Sequence, residues 1–251
     1  MKKFVYILLI ILFTFSGCQK TPYTQRSQLV LYSYDEEIRL GENAAQEILA
    51  KEKRSKDKKK IDMVKRVGDR LSKVTDANYN WEFYVIQKDT LNAFCLPGGK
   101  VFVYEGIFKA IKNEDQLATV MSHEIAHALA RHGLERMSMG QLTSIGKVAI
   151  SEAAGLRGNQ AFDVAFGIGA QYGIMLPYSR SFEYEADTIG IKLMKKAKYD
   201  IDEAVNFWRN MKKAKKTGSP MEFMSTHPTD DNRIANIKSI IKNEKGIDES
   251  Y

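Results

Sequence analysis

The sequence predicts a predominantly helical α+β domain. Apolar residues recur at helical spacing in residues 33–50 and 61–74, and helical patterns return after residue 113. Only residues 81–104 have the short aromatic and β-branched runs that are typical of strands. Because these runs follow one another without intervening helices, we expect a small, mainly antiparallel sheet and no βαβ units.

The expected strands cover residues 81–86, 91–96 and 101–104, and Pro97-Gly98-Gly99 predicts a turn between the last two. The sheet is expected to precede a helix at residues 114–132. Asn113 is a suitable N-cap for this helix, and Gly133 is suited to a left-handed exit from it.

Two apolar helices are predicted at residues 137–154 and 160–175, separated by a glycine-containing interruption. Charged residues break both segments before either reaches the ~18 apolar residues that a membrane span requires. We therefore expect a helical hairpin that packs beside the functional site, with membrane insertion as the less favoured alternative.

The amino terminus has the features of an export signal. Lys2 and Lys3 precede an apolar run at residues 4–15, which is too short for a comfortable membrane span and predicts a signal peptide at residues 1–17. Ser16-Gly17-Cys18 resembles a bacterial lipobox and predicts lipidation of Cys18; the alternative is an ordinary or uncleaved signal with an incidental cysteine. Residues 18–30 are then a lipidated tether, and residues 31–251 form the folded domain.

The formal net charge of +7 is concentrated in two lysine-rich segments, residues 51–60 and 212–216. Neither segment interleaves basic and aromatic residues as a single-strand nucleic-acid platform does. Together with export, this pattern excludes nucleic acid as the expected partner. Solvated helix ends explain both segments, and contact with anionic lipid head groups is the alternative.

The candidate functional centre is His123-Glu124-Ile125-Ala126-His127 within the 114–132 helix. Residues four apart lie on one helical face, so both imidazoles can bind one metal ion. Glu124 lies one step round the helix, where a carboxylate can act as general base on a zinc-activated water. A helix can also carry this spacing for packing alone, and other segments decide between the two interpretations.

A catalytic zinc ion usually needs a third protein ligand, and the acidic segment at residues 183–187 can supply it. Glu183 and Asp187 are four apart, so one can bind the metal while the other orients a ligand histidine. We expect Glu185 to lie on a different face as an ordinary surface acid. His132 is also expected to point away from the metal and to have no role.

Taken together, four separated motifs resemble the gluzincin metalloendopeptidases related to the CAAX prenyl protease, HtpX and the mitochondrial overlapping-activity protease. The motifs are His123-Glu124-x-x-His127, Glu183-Tyr184-Glu185-Ala186-Asp187, Asn92-Ala93-Phe94 with Leu96-Pro97-Gly98-Gly99, and Thr226-His227-Pro228 with Arg233. They occur in the family's order. The chain lacks the sets of membrane-spanning helices of the first two relatives and is more similar to a short bacterial periplasmic lipoprotein branch.

The resemblance implies a zincin-like metallopeptidase domain with one zinc ion. It implies Glu183 as the third ligand, Asp187 as an orienting carboxylate, and the strand that carries Asn92, Ala93 and Phe94 as a substrate-binding edge of the cleft. Gly98 and Gly99 would form the hairpin that follows this strand.

His227 and Arg233 are also placed near the cleft by the resemblance. His227 is expected to serve catalysis by donating to the oxyanion or to occupy the metal as a latent fourth ligand. Arg233 is expected to hold the His227 loop or a carboxylate of the site.

The predicted function is zinc-dependent endopeptidase activity in the bacterial cell envelope, at the periplasmic face of the outer membrane. Its expected substrates are misfolded or misassembled envelope proteins. The alternative is a chaperone-like assembly factor that binds unfolded outer-membrane proteins, with proteolysis secondary or latent. A purely structural zinc site is disfavoured because such sites are usually closed by Cys or His and lack an adjacent base.

Overall fold

The computed structural model describes residues 18–216, 222–228 and 231–246, so the predicted signal peptide lies outside the described residues. The strands are β1 (Cys18–Lys20), β2 (Ser27–Leu29), β3 (Glu82–Ile86), β4 (Ala93–Leu96) and β5 (Lys100–Tyr104). The helices are α1 (Tyr34–Lys51), α2 (Lys58–Ser72), α3 (Glu114–Leu129), α4 (His132–Ala153), α5 (Gln160–Ala170), α6 (Leu176–Lys196), α7 (Glu203–Lys216), α8 (Glu222–Thr226) and α9 (Asp231–Lys245). The predicted class, a predominantly helical α+β domain, is confirmed.

Side-chain caps explain where the first three helices begin. Ser33 and Glu36 form a reciprocal capping box at α1, and Asp57 accepts hydrogen bonds from two backbone N–H groups of α2. Asn113 caps α3 as predicted, since its side chain accepts from the Gln116 N–H at 2.9 Å. The start of the candidate metal-binding helix is therefore fixed by local sequence.

The main sheet is mixed, where we expected a mainly antiparallel one. Its strand order is β3-β5-β4, with β5 parallel to β3 and antiparallel to β4. The turn between β4 and β5 uses Gly98 and Gly99 at φ angles of +76° and +90°, which glycine adopts without strain. β3 is not followed by a tight turn of this kind. The chain continues from β3 to β4 at the opposite edge of the sheet and then forms β5 between these two strands.

The sheet lies between two layers of helix. One face packs in a core formed with α2, α3, α6 and α7, and the other face packs with α1 around Ile86, Phe102 and Tyr104. β4 is an edge strand of this sheet and contacts α3. The strand predicted to line the cleft is therefore adjacent to the candidate metal-binding helix.

A glycine brings α6 unusually close to α3. A Cβ atom at Gly190 would lie only 3.2 Å from the backbone nitrogen of His123 and 3.3 Å from its Cα. The absence of a side chain at this position lets the two helices approach at the level of the candidate ligands.

The segment predicted to be a tether is folded against the domain. β1 and β2 pair as an antiparallel hairpin in which Thr21 and Gln28 are buried. Arg26, between the strands, forms ion pairs with Glu135 of α4 and Glu185 of α6. The polar composition of residues 18–30 predicted a solvated tether. The contacts with Glu135 and Glu185 were not predicted because these partners lie more than a hundred residues away in the sequence. Lipidation of Cys18 stays a prediction.

The apolar hairpin also differs from expectation. The first turns of α4 are buried at His132, Leu134, Glu135 and Ser138, whereas α5 has no buried residue. The exposed apolar side chains on α4 and α5 include Ile145, Val148, Ile150, Val164 and Ile168. The hairpin therefore packs on the domain through the first turns of α4. Within the described residues, no helix combines the length and apolarity needed to cross a bilayer.

We expect Gly41→Ala to destabilise the fold by about 1–3 kcal/mol, because the new Cβ would lie 1.8 Å from the carbonyl oxygen of Pro97. Chemical denaturation measures the change. The matched control is Gly146→Ala on α4, where a Cβ meets no atom within 4 Å and should stabilise the helix by up to about 1 kcal/mol. Equal stability of the two variants would contradict the tight packing of α1 on the β4–β5 turn.

Candidate active site

Helix α3 presents two imidazoles toward one point. His123 and His127 are one turn apart, and their Nε2 atoms are separated by 3.1 Å. His123 is 2% exposed, which places its ring in the protein interior. The four-residue spacing of His123 and His127 therefore brings the two imidazoles together, as predicted.

Helix α6 brings a carboxylate to the same point. Glu183 lies 3.4 Å from the Nε2 atoms of both histidines. The Nδ1 atom of His227 completes the group at 3.0 Å from Glu183 and 3.2 Å from His123 Nε2. The ligand atoms of these four residues all lie within 4.8 Å of one another.

These separations fit a zinc ion. Ligand atoms at ~2.0–2.2 Å from zinc in a tetrahedron are about 3.3–3.6 Å apart, and nitrogen and carboxylate oxygen are ligands that zinc accepts. The site also favours positive charge at this point. Hydrogen bonds with Asp187 and Glu183 outweigh burial and raise the pKa of His123 to about 9. Burial instead holds the pKa of His127 well below its usual value, so this ring is neutral and available as a ligand.

Glu124 is placed as a general base would be. It is 3% exposed, and its Oε1 atom has no hydrogen-bond partner in the described part of the chain, with His227 Nε2 at 3.4 Å. Burial raises the pKa of this carboxyl. A buried acceptor without a partner is costly to stability, which points to a functional reason for its position.

Asp187 and Arg233 lie behind the candidate ligands. Asp187 Oδ1 is 3.0 Å from the Nδ1 atom of His123, so it can orient that ring. Arg233 donates to both carboxylate oxygens of Asp187 at 2.8 and 2.9 Å and lies 2.9 Å from Glu183. It also donates to the Pro228 carbonyl at 3.2 Å. Both contacts expected for Arg233, with a site carboxylate and with the His227 loop, are present.

The predicted substrate-binding residues have different surroundings. Ala93 is buried, and Asn92 donates to Glu222 at 2.9 Å. Phe94 stacks on Phe102 at a centroid distance of 5.1 Å, which directs its ring to the α1 side of the sheet. Asn92, Ala93 and Phe94 therefore form a strand edge near the site, and the Phe94 side chain does not face the candidate metal ligands.

The backbone of β4 offers pairing groups beside these ligands. Tyr104 N–H donates to the Asn92 carbonyl, so alternation along an antiparallel strand turns the N–H and C=O groups of Ala93 and Cys95 away from β5. A cleft lined by Cys95, Pro97, His127 and His227 connects this edge with the histidines.

Two residues that we expected to lie outside the site are part of it. His132 is 1% exposed, and its Nδ1 atom is 2.9 Å from the Nδ1 atom of His127. Glu185 is also buried and lies 3.1 Å from His132 Nε2. The expectation failed because α3 ends at Leu129 and Arg131 takes the left-handed conformation that we assigned to Gly133, so His132 begins a new helix. The available signal was that all four histidines of the chain lie in this cluster.

Comparison with known proteins agrees with this geometry. The model of peptidase family M48 matches residues 56–241. The chain belongs to peptidase family M48. Its M48 domain is a metallopeptidase domain, and the resemblance drawn from the four motifs is confirmed.

Several proteins similar to this chain are named metalloendopeptidases or proteases. Mitochondrial metalloendopeptidase OMA1 of Schizosaccharomyces pombe is 39% identical over 177 residues, which are 70% of this chain and 51% of that protein. Metalloendopeptidase OMA1 of Homo sapiens is 28% identical over 93% of this chain and 48% of its own length. The β-barrel assembly-enhancing protease of Yersinia pestis is 29% identical over 82% of this chain and 44% of that protein. The chain thus spans about half the length of these relatives.

We expect Glu183→Ala to lower zinc affinity by more than the ~10–100-fold that loss of an outer hydrogen-bond partner costs, because it removes a ligand atom. Elemental analysis and chelator competition measure the change. The matched control is Glu47→Ala on α1, whose side chain is 73% exposed and remote from the site. Undiminished zinc in Glu183→Ala would place the third ligand elsewhere.

Proposed function

We propose that this M48 protein is a zinc metalloendopeptidase of the bacterial cell envelope that degrades misfolded or misassembled envelope proteins. The observation that carries the proposal is the convergence of Glu183 with His123 and His127, next to a carboxylate oxygen of Glu124 that has no hydrogen-bond partner among the described residues. Histidine and carboxylate ligands from two helices with an adjacent base are typical of catalytic zinc, and structural sites usually lack such a base.

In the proposed hydrolysis, different residues of the chain bind the metal and transfer the proton. His123, His127 and Glu183 hold the metal, and zinc when bound acts as a Lewis acid that polarises the scissile carbonyl and lowers the pKa of a water molecule. Glu124 accepts the proton of the attacking water at Oε1 and passes it to the leaving amine nitrogen. Its raised pKa suits both transfers, because a more basic carboxylate accepts a proton more readily at neutral pH.

Of the two roles considered for His227, the geometry favours the fourth ligand. Its Nδ1 atom faces Glu183 and His123 Nε2, and only its Nε2 atom faces Glu124. As a fourth ligand, His227 would block the approach of a substrate carbonyl to the metal, so we propose that it leaves when substrate binds.

Substrate binding is proposed to extend the sheet. An extended peptide can pair with the outward backbone groups of Cys95, which line the cleft, as in other cases of strand addition to a sheet edge. The cleft from Cys95 to His127 and His227 then carries the peptide to the candidate metal ligands.

The envelope location rests on the predicted signal peptide and on lipidation of Cys18, which would tether the domain at the periplasmic face of the outer membrane. The name of the Yersinia pestis relative supports a link to β-barrel assembly. The mitochondrial relatives support the peptidase activity and leave the compartment open.

A second candidate function is the chaperone-like binding of unfolded outer-membrane proteins. It is favoured by the exposed apolar side chains on α4 and α5, including Ile145, Val148 and Val164, since such groups on a surface mark interaction sites.

We expect Glu124→Gln to keep the fold and the zinc content and to lower kcat of peptide hydrolysis by at least about 100-fold, because the amide cannot accept the proton. Elemental analysis, circular dichroism and cleavage of a fluorogenic peptide test this. A fully active Glu124→Gln enzyme would remove Glu124 from the mechanism. Rescue of an envelope-stress phenotype by the inactive variant would instead favour the chaperone function.

We also expect Cys95→Pro to raise KM for a peptide substrate about fivefold, since it removes one outward N–H donor worth ~1 kcal/mol while β4 keeps its bonds to β5. Steady-state kinetics provide the measurement. Cys95→Ala is the matched control because it changes the side chain and retains the N–H group. Similar KM values for the two variants would argue against strand addition at this edge.

A further inference from the structure

The second ring nitrogen of each candidate ligand histidine has a different partner. His123 Nδ1 faces a carboxylate oxygen of Asp187 directly at 3.0 Å. His127 Nδ1 faces the Nδ1 atom of another imidazole, His132, at 2.9 Å. The partner of His127 is therefore a residue that has no part in the proposed hydrolysis.

The proton positions in this chain of contacts follow from the metal. His127 must present an unprotonated Nε2 to a metal ion, so its proton is on Nδ1 and is donated to His132. His132 accepts at Nδ1 and consequently carries its own proton on Nε2, which points at Glu185 Oε2 at 3.1 Å. A neutral imidazole thus connects the ligand to a carboxylate.

The far end of the chain is fixed by the amino-terminal hairpin. Glu185 accepts hydrogen bonds from the Thr24 hydroxyl and, at 2.6 Å, from Arg26 Nε. Arg26 is held in turn by two hydrogen bonds to Glu135, at 2.9 and 2.7 Å. The bonds from His132, Thr24 and Arg26 together hold the Glu185 carboxylate in place.

Packing fixes the plane of the intermediate ring. His132 stacks on Phe182 with a centroid distance of 4.3 Å and an interplanar angle of 12°. The guanidinium of Arg26 lies over the same Phe182 ring at 5.3 Å. The ring of His132 therefore has one orientation, in which its two nitrogens face His127 and Glu185.

We propose that His132 is a positioning residue that fixes the tautomer and ring orientation of the ligand His127. Thr24 and Arg26 of the amino-terminal hairpin hold His132 in place through Glu185. This inference rests on the proposed binding of a metal by His127. It assigns to the β1–β2 hairpin a part in completing the metal site, beyond linking the domain to a lipid anchor.

The test compares two substitutions of His132 in the full chain. His132→Phe preserves the stacking on Phe182 and removes the acceptor, and we expect zinc affinity to fall about 10–100-fold. His132→Asn places an acceptor oxygen near the former Nδ1 position, and should recover affinity to within about threefold of the unsubstituted protein. Chelator competition gives the zinc dissociation constant, and the visible spectrum of the cobalt-loaded protein reports the coordination geometry.

Zinc affinity in folded His132→Phe equal to that of the unsubstituted protein would overturn the positioning role. Failure of the unsubstituted protein to bind zinc would instead overturn the proposed function itself, so the two failures are distinguishable. Circular dichroism of each metal-free variant establishes that it is folded.

A second variant tests the hairpin even if His132→Phe does not fold. Arg26→Met keeps side-chain length and removes the bonds to Glu185 and Glu135, and should weaken zinc binding and change the cobalt spectrum. Arg66→Met, which removes an exposed ion pair with Glu114, is the control and should leave both unchanged. Unchanged zinc affinity in folded Arg26→Met would overturn the part assigned to the hairpin.

Discussion

The close approach of α3 and α6 is the constraint on which the site depends. His123, Glu124 and His127 come from one helix and Glu183 and Asp187 from the other, so the donor set exists only while the two helices are in contact. Gly190 permits that contact, since its Cα faces the backbone of His123 without an intervening side chain. The histidines and the carboxylates are local features of sequence, whereas their convergence is a product of packing.

Charge balance sets a second requirement on this contact. Glu124, Glu183 and Asp187 are all buried, and isolated buried carboxylates are costly. Arg233 offsets part of this cost through its bonds to Asp187 and Glu183, and its guanidinium lies 3.9 Å from the centre of the Trp208 ring. A metal cation bound by His123, His127 and Glu183 would supply further positive charge. The α9 helix that carries Arg233 is therefore as much a part of the centre as the helices that carry its ligands.

The sequence predicted the centre more completely than its surroundings. The spacing of His123 and His127 and the pair Glu183 and Asp187 depend only on helical periodicity, which a sequence displays directly. The fold class followed from the same periodicity. His132 and Glu185 could not be assigned in this way, because a single left-handed residue, Arg131, changes the register between α3 and α4. The parallel pairing of β3 with β5 was missed since it depends on where a connection crosses the sheet and has no turn signal.

The position of Arg26 has a consequence for how the molecule matures. Its contact with Glu185 joins residues that are 159 positions apart, and the contact with Glu135 spans 109. Such long separations make a contact slow to form, because the chain must close a large loop first. In a chain that is still being synthesised, the β1–β2 hairpin would therefore lack its contact with Glu185 until α6 had been made. The earliest part of the domain to leave the ribosome is among the last to reach its final place.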